Sequence, residues 1–182
     1  MDITDYVHAV SKHCQYLAPS MARGLTGWTV FEVVGDAESS EAEVFHAGVQ
    51  AAERIRPLAS RPHGALVCEN IVLLAGDGID HRELMAWPHW ALKNLYGPIG
   101  LMFGKFWAGE QGKDRYGRSI PVPPCSFLPV RVAVRARDPR FLSRTPELAA
   151  AVAGAADDGC DVIKDLPEDW KAVRTWATQL LA

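Results

Sequence analysis

The stretch Trp28-Thr-Val-Phe-Glu-Val-Val34 is dense in aromatic and β-branched residues and lies between Gly27 and Gly35. Such a run reads as a strand, because branched and aromatic side chains pack well on a pleated surface. Behind it, Ser40 with Glu43 makes a capping-box pattern ahead of Val44, Phe45, Val49, Ala52 and Ile55. That spacing predicts a helix, and Pro57 stops it because proline has no amide hydrogen to continue the ladder. Leu66 to Leu74 is a second apolar run, closed by the turn Gly76-Asp-Gly78. Strand, helix and strand in succession allow the two strands to be parallel neighbours.

Outward from this unit the chain keeps alternating. Asp80 with Glu83 starts a helix through Leu84, Met85, Leu92 and Leu95, which Pro88 kinks or splits and Gly97-Pro98 ends. Ile99 to Trp107 reads as a third strand, loosened by Gly100 and Gly104. A polar, proline-bearing loop runs from Ala108 to Ser126, and Phe127 to Arg135 is a fourth strand. Pro129 places the start of that strand at an edge or a bulge, and strands three and four form a long-looped antiparallel pair.

At the amino end Ile3, Tyr6, Val7, Val10 and Cys14 mark a short amphipathic helix behind a possible Asp2 cap, followed by a loop with Pro19 and Gly24. At the carboxyl end Asp138-Pro139 and Thr145-Pro146 each start a helix. A last helix follows the Asp165 and Glu168 capping box and carries Trp170, Val173, Ala177, Leu180 and Leu181 on one face. The expected fold is α+β: a mixed sheet of about four strands flanked by helices, in one domain over residues 1–182.

Composition fits that picture. The chain has 182 residues, of which 48% are hydrophobic and 23% charged, with a net charge of −3. That balance argues against a general nucleic-acid or membrane-surface partner. The amino end carries no secretion signal and no apolar run approaches the roughly 20 residues that span a bilayer, so a cytoplasmic location is expected. Cys14, Cys68, Cys125 and Cys160 are dispersed. They offer neither a zinc spacing nor a disulfide framework and read as buried, reduced thiols.

One segment concentrates charge. Between Ile99 and Arg144 nine basic residues stand against Glu110, Asp114 and Asp138. Arginine forks hold carboxylates and phosphates bidentately, so the cluster suits a small anion. The ordinary alternative is a solvated face whose arginines pair with acidic groups. The loop Gly109 to Pro124 is long for a strand connection, and such loops are often lids or binding segments. It has no phosphate-loop spacing.

Gly100-Leu-Met-Phe-Gly104, Phe106-Trp107, Ser126-Phe-Leu-Pro-Val-Arg131 and Asp138-Pro-Arg-Phe-Leu142 together resemble an uncharacterised bacterial domain family, frequent in actinobacteria. Its pattern runs G-L-M-x-G-x-F-H, then a proline-bearing step into a strand ending in arginine, then D-x-x-F-L. Cys14-Gln-Tyr-Leu-Ala-Pro19 is similar to the family's amino-terminal V-C-P-F-x-x-P. The resemblance implies a shared fold and no particular activity.

A more distant similarity is to small haem-dependent N-oxygenases of bacterial specialised metabolism, and haem is the cofactor it implies. The strand histidine that would bind iron is replaced here by Trp107, so His89 is the residue that would take its place.

His8, His13, His46, His63 and His81 are scattered, whereas His89 lies between Trp87, Pro88 and Trp90 beside the helix break. An aromatic, partly buried setting can tune an imidazole, and His89 is the candidate acid or base. No nucleophile elbow, H-E-x-x-H or carboxylate pair occurs. The expected function is a small-molecule enzyme or ligand-binding protein for an anionic or amino-acid-like compound. Arg115, Arg118 and Arg131 would hold its anionic group, and Trp90 and Trp107 would cover it. The alternative is a non-catalytic accessory subunit that binds a partner protein through an apolar patch including Trp87 and Trp90; a homo-oligomer also stays open.

Overall fold

The computed structural model describes residues 3–34, 37–75, 78–114 and 116–164. Asp2, Arg115 and the carboxyl-terminal helix expected after Asp165 lie outside these residues.

Helix α1 (Ile3–Val10) buries Tyr6 and Val7 and is followed by α2 (Leu17–Ala22), where a loop was expected. Pro19 is compatible with that short helix because it sits in the first turn, where no intrahelical amide bond is lost. Strand β1 (Thr26–Val33) starts before Trp28 and takes in Gly27. That glycine pairs with Glu69 of the neighbouring strand, whose carboxylate lies 2.0 Å from where a Cβ would stand and so requires glycine here.

Helix α3 (Ala37–Ile55) starts ahead of Ser40, so the capping box does not form. Ser40 is fully buried, and its hydroxyl has no partner among the described residues. Glu43 instead accepts a hydrogen bond from the Val34 amide (3.1 Å) and caps the end of β1. The α-helix ends at Ile55, before Pro57, as the sequence predicts.

Strand β2 (Cys68–Ala75) pairs in parallel with β1 from Thr26–Cys68 to Val33–Ala75. Pro88 marks a division into two helices, α4 (His81–Leu84) and α5 (Ala86–Tyr96). The Asp80 carboxylate caps α4, accepting from the amides of Arg82 and Glu83. Beyond α5 come β3 (Leu101–Phe103), the small hairpin β4 (Gly112–Lys113) and β5 (Ser119–Ile120), then β6 (Ser126–Val132). The chain continues through a 3-10 turn at Asp138–Leu142 into α6 (Pro146–Ala153).

The main sheet has the order β1-β2-β6-β3, with β6 antiparallel to both neighbours. The antiparallel pairing of the third and fourth expected strands is therefore present. Strand β6 is nevertheless central, which corrects the edge position expected from Pro129. The Pro129 carbonyl accepts from the Gly104 amide (2.9 Å), so its nitrogen also faces the β3 side. The absent N–H falls where β3 ends, and pairing resumes at the Phe106–Phe127 bridge. Only the short edge ladder is interrupted.

Alternation gives the sheet two covered faces. Ile71, Leu73, Leu101, Phe103, Leu128 and Val130 form the main core with α3 and α5. Gly48 permits the close crossing of those helices, since Leu92 Cδ1 stands 2.3 Å from where its Cβ would be. On the opposite face Tyr6 and Val7 of α1 pack with Phe127, while Met102 packs with Leu142, Leu148 and Val152. Among the described residues no helix is long and apolar enough to cross a membrane. Cys14, Cys68 and Cys125 are partly buried thiols, whereas Cys160 is exposed, against the expectation that all four are buried.

Candidate functional site

Two of the three arginines expected to hold an anion, Arg131 and Arg118, are already paired with carboxylates. Arg131 makes a fork to Asp138, with both bonds at 2.8 Å, and the Val134 amide also donates to that carboxylate. Asp138 is 2% exposed, so this pair is a buried joint between β6 and the 3-10 turn that follows. It is not the helix cap that Asp138-Pro139 suggested; Arg137 precedes the turn instead.

Arg118 donates through Nε to Asp114 at 2.7 Å, and its guanidinium lies over the Tyr116 ring. Asp114 further accepts from the amides of Tyr116 and Arg118 and from His13 Nδ1 at 3.1 Å. These donors, led by Arg118, hold its carboxyl far below the usual carboxylate range although desolvation opposes them. The long loop is therefore closed by a hairpin turn and tied to the end of α1 through His13. Arg115 lies outside the described residues.

A different set of charges forms no ion pair among the described residues. The pairing register carries β3 on through the Phe106–Phe127 bridge, so Phe103, Lys105 and Trp107 fall on one face, toward α5. On α5, His89 and Lys93 are four residues apart and share a helix face. Nε2 of His89 donates to the Phe103 carbonyl at 3.2 Å and ties that face to the strand. The Arg82 guanidinium lies 5.5 Å from the Trp107 ring centroid. Glu110 follows in the loop, half-buried, and its Oε2 has no hydrogen-bond partner among the described residues.

The electrostatics join these residues. Burial, then Lys93, pushes His89 down to about 4; the bond to Phe103 opposes this and Lys105 adds to it. The ring is neutral at pH 7, a hydrogen-bonded strut and a poor base. Burial and the neighbouring Lys105 also lower the Lys93 ammonium. Burial raises the Glu110 carboxyl, against the Trp107 amide, Lys105 and Arg82. Among the described residues neither lysine has a carboxylate within ion-pair distance (4.0 Å). Two half-buried ammonium groups that repel one another and have no carboxylate partner among the described residues are arranged to receive an anion.

Of the residues expected from sequence, His89 and Trp107 belong to this constellation. Trp90 is the next residue on α5 and is 48% exposed. Lys93, Lys105, Arg82 and Glu110 were not singled out as site residues. The spacing of His89 to Lys93 and the alternation of Phe103, Lys105 and Trp107 are the signals that could have found them.

Two open grooves lie elsewhere. One of about 660 Å³ runs along α3 past His46, Gln50, Glu53 and Arg54 to Asp161 and Ile163. The other, about 410 Å³, is lined by Gly24, Gly27, Arg54 and Glu69. Both include Arg54, which already faces Glu69 at 3.5 Å. Volume and chemistry disagree, and the unpaired cations are the stronger sign of a ligand.

No group of three or more potential metal ligands occurs among the described residues. His89 does not fit an axial haem ligand, since its Nε2 is engaged by Phe103. Comparison with protein-family models, curated proteins and solved structures found no match. The functional reading therefore rests on the residues themselves.

Proposed function

We propose that this protein binds a small anionic compound between α5 and the end of β3, as a ligand-binding protein or as an enzyme acting on that compound. The observation that carries the reading is the pair Lys93 and Lys105, half-buried, mutually repelling and without a carboxylate partner among the described residues. Arg82 adds a third positive charge above Trp107, whose ring can form one wall for the ligand. His89 positions α5 against β3 and, being neutral, adds no further charge. Arg118 and Arg131 are paired with Asp114 and Asp138 instead.

The test is calorimetric titration with inorganic phosphate, succinate and glutamate. At least one should bind saturably, with binding lost in the Lys93→Met, Lys105→Met double variant and kept in Arg118→Ala. Equal binding by both variants would overturn the assignment.

A partner-binding role has a separate observation behind it. Val30 (62%), Leu74 (51%) and Val34 (67%) are exposed at one corner of the sheet, and β1 is an edge strand. An open edge beside apolar side chains favours pairing with a second copy of this chain. Light scattering decides it: a dimer that Val30→Lys dissociates supports this role, and a monomer at high concentration removes it.

A further inference from the structure

We infer that the ligand is zwitterionic, an anion that also carries a protonated amine, and that Glu110 takes the amine. The inference rests on the anion site proposed above and adds its second subsite.

Glu110 Oε2 is shielded from solvent and accepts no hydrogen bond within the described residues. A buried acceptor without a donor costs about 1–3 kcal/mol, so such an atom in a charged cluster is a place prepared for a donor. The Trp107 amide donates to the carboxylate, and three positive or polar side chains are near enough to act on it, yet none satisfies Oε2. Arg82 is turned onto the Trp107 ring. Lys105 is near enough to act on both Glu110 and the His89–Lys93 pair, and forms no ion pair with Glu110. Tyr6, 3% exposed, is raised to about 12 by burial, then by Cys125 and Glu110, and donates no hydrogen bond to the carboxylate.

Lys105 thus acts on both the anion subsite and a carboxylate whose Oε2 has no donor among the described residues. An ammonium group on the ligand would satisfy Oε2 and hold Glu110 ionised while the anionic end meets Lys93 and Lys105.

The sign of the effect separates this from simple anion binding. Among Arg82, Lys93 and Lys105, adding a positive charge to an anion weakens its binding unless that charge has its own acceptor. The experiment compares three pairs that differ by one amine: succinate with aspartate, glutarate with glutamate, and ethyl phosphate with phosphoethanolamine, each titrated calorimetrically.

At least one amine-bearing member should bind ten or more times tighter than its counterpart, and Glu110→Gln should erase that preference. If the amine-free members bind as well or better in every pair, the inference falls and the anion site stands. If none of the six compounds binds, the anion site itself falls and takes the inference with it. The wild-type comparison needs no variant, so a folding defect in Glu110→Gln would not blur the outcome.

Discussion

Two basic regions of this chain have opposite fates. Arg131 of β6 and Arg118 of the β4–β5 hairpin are conspicuous in the sequence, yet each meets a carboxylate of its own segment, Asp138 for Arg131 and Asp114 for Arg118. Lys93 of α5 lies outside the basic segment from Ile99 to Arg144 and Lys105 of the β3 extension is at its start, with nothing in the local sequence to join them. They meet each other across a helix–strand contact with no acid between them among the described residues. The lesson is that local charge density marks what the chain can neutralise by itself. A binding site is better sought where tertiary packing brings together charges that no neighbour in sequence compensates.

The sharpest way to break this contrast is at the buried joint. Asp138→Ala strands the Arg131 guanidinium and the Val134 amide without their acceptor, and should cost about 4 kcal/mol in denaturant unfolding. A loss under 1 kcal/mol would mean that the arginine is not a structural element, and would reopen it as a ligand-binding group.

Next in size is a pH effect at the lysine side of the comparison. Folding lowers His89 from about 6.5 to about 4, so the unfolded chain binds the extra proton between those values. The contribution is fully present above about pH 6.5 and is lost as pH falls toward 4, for a total of roughly 3 kcal/mol. Lys93 and Lys105 act on the ring through their charge and Phe103 accepts from it, so both the charge and the bond are tested. Unfolding measured from pH 7.5 to 4.5 should show this slope, and His89→Gln should remove it. Identical profiles would show that His89 is not held neutral.

A smaller effect of opposite sign is expected from Lys105→Met. Removing one of two mutually repelling ammonium groups, neither with a carboxylate partner among the described residues, should stabilise the protein by about 1 kcal/mol and raise the histidine titration seen by NMR. Destabilisation instead would mean that Lys105 has a structural partner.

The least effect belongs to the exposed arginine. Arg118→Ala removes a pair whose cation is 57% exposed, and should change stability by about 0.5 kcal/mol. A loss comparable to Asp138→Ala would place the hairpin in the folding core rather than at the surface.

Much of the fold was legible because its signals are local. The β-branched run around Val30, the helix stop at Pro57, the break at Pro88 and the start at Pro146 each depend on propensities that hold wherever the residue sits. The errors arose where a residue answers to something distant. Gly27 looked like a strand boundary until Glu69 was seen lying over it, and Ser40 looked like a cap although Glu43 reaches back to Val34 instead. Pro129 looked like an edge marker because its lost donor could not be assigned to the side where β3 ends.

The site divides in the same way. By itself the sequence determined the element types, the mixed sheet and the presence of His89 and Trp107 as unusual residues, since periodicity and composition act over a few neighbours. Only the tertiary structure decided which charges are free. Arg131 is neutralised seven residues away at Asp138, while Lys93 and Lys105 become neighbours because β3 lies against α5. Whether a charge is paired depends on distance and burial in three dimensions, and neither quantity is encoded in the local pattern of residues.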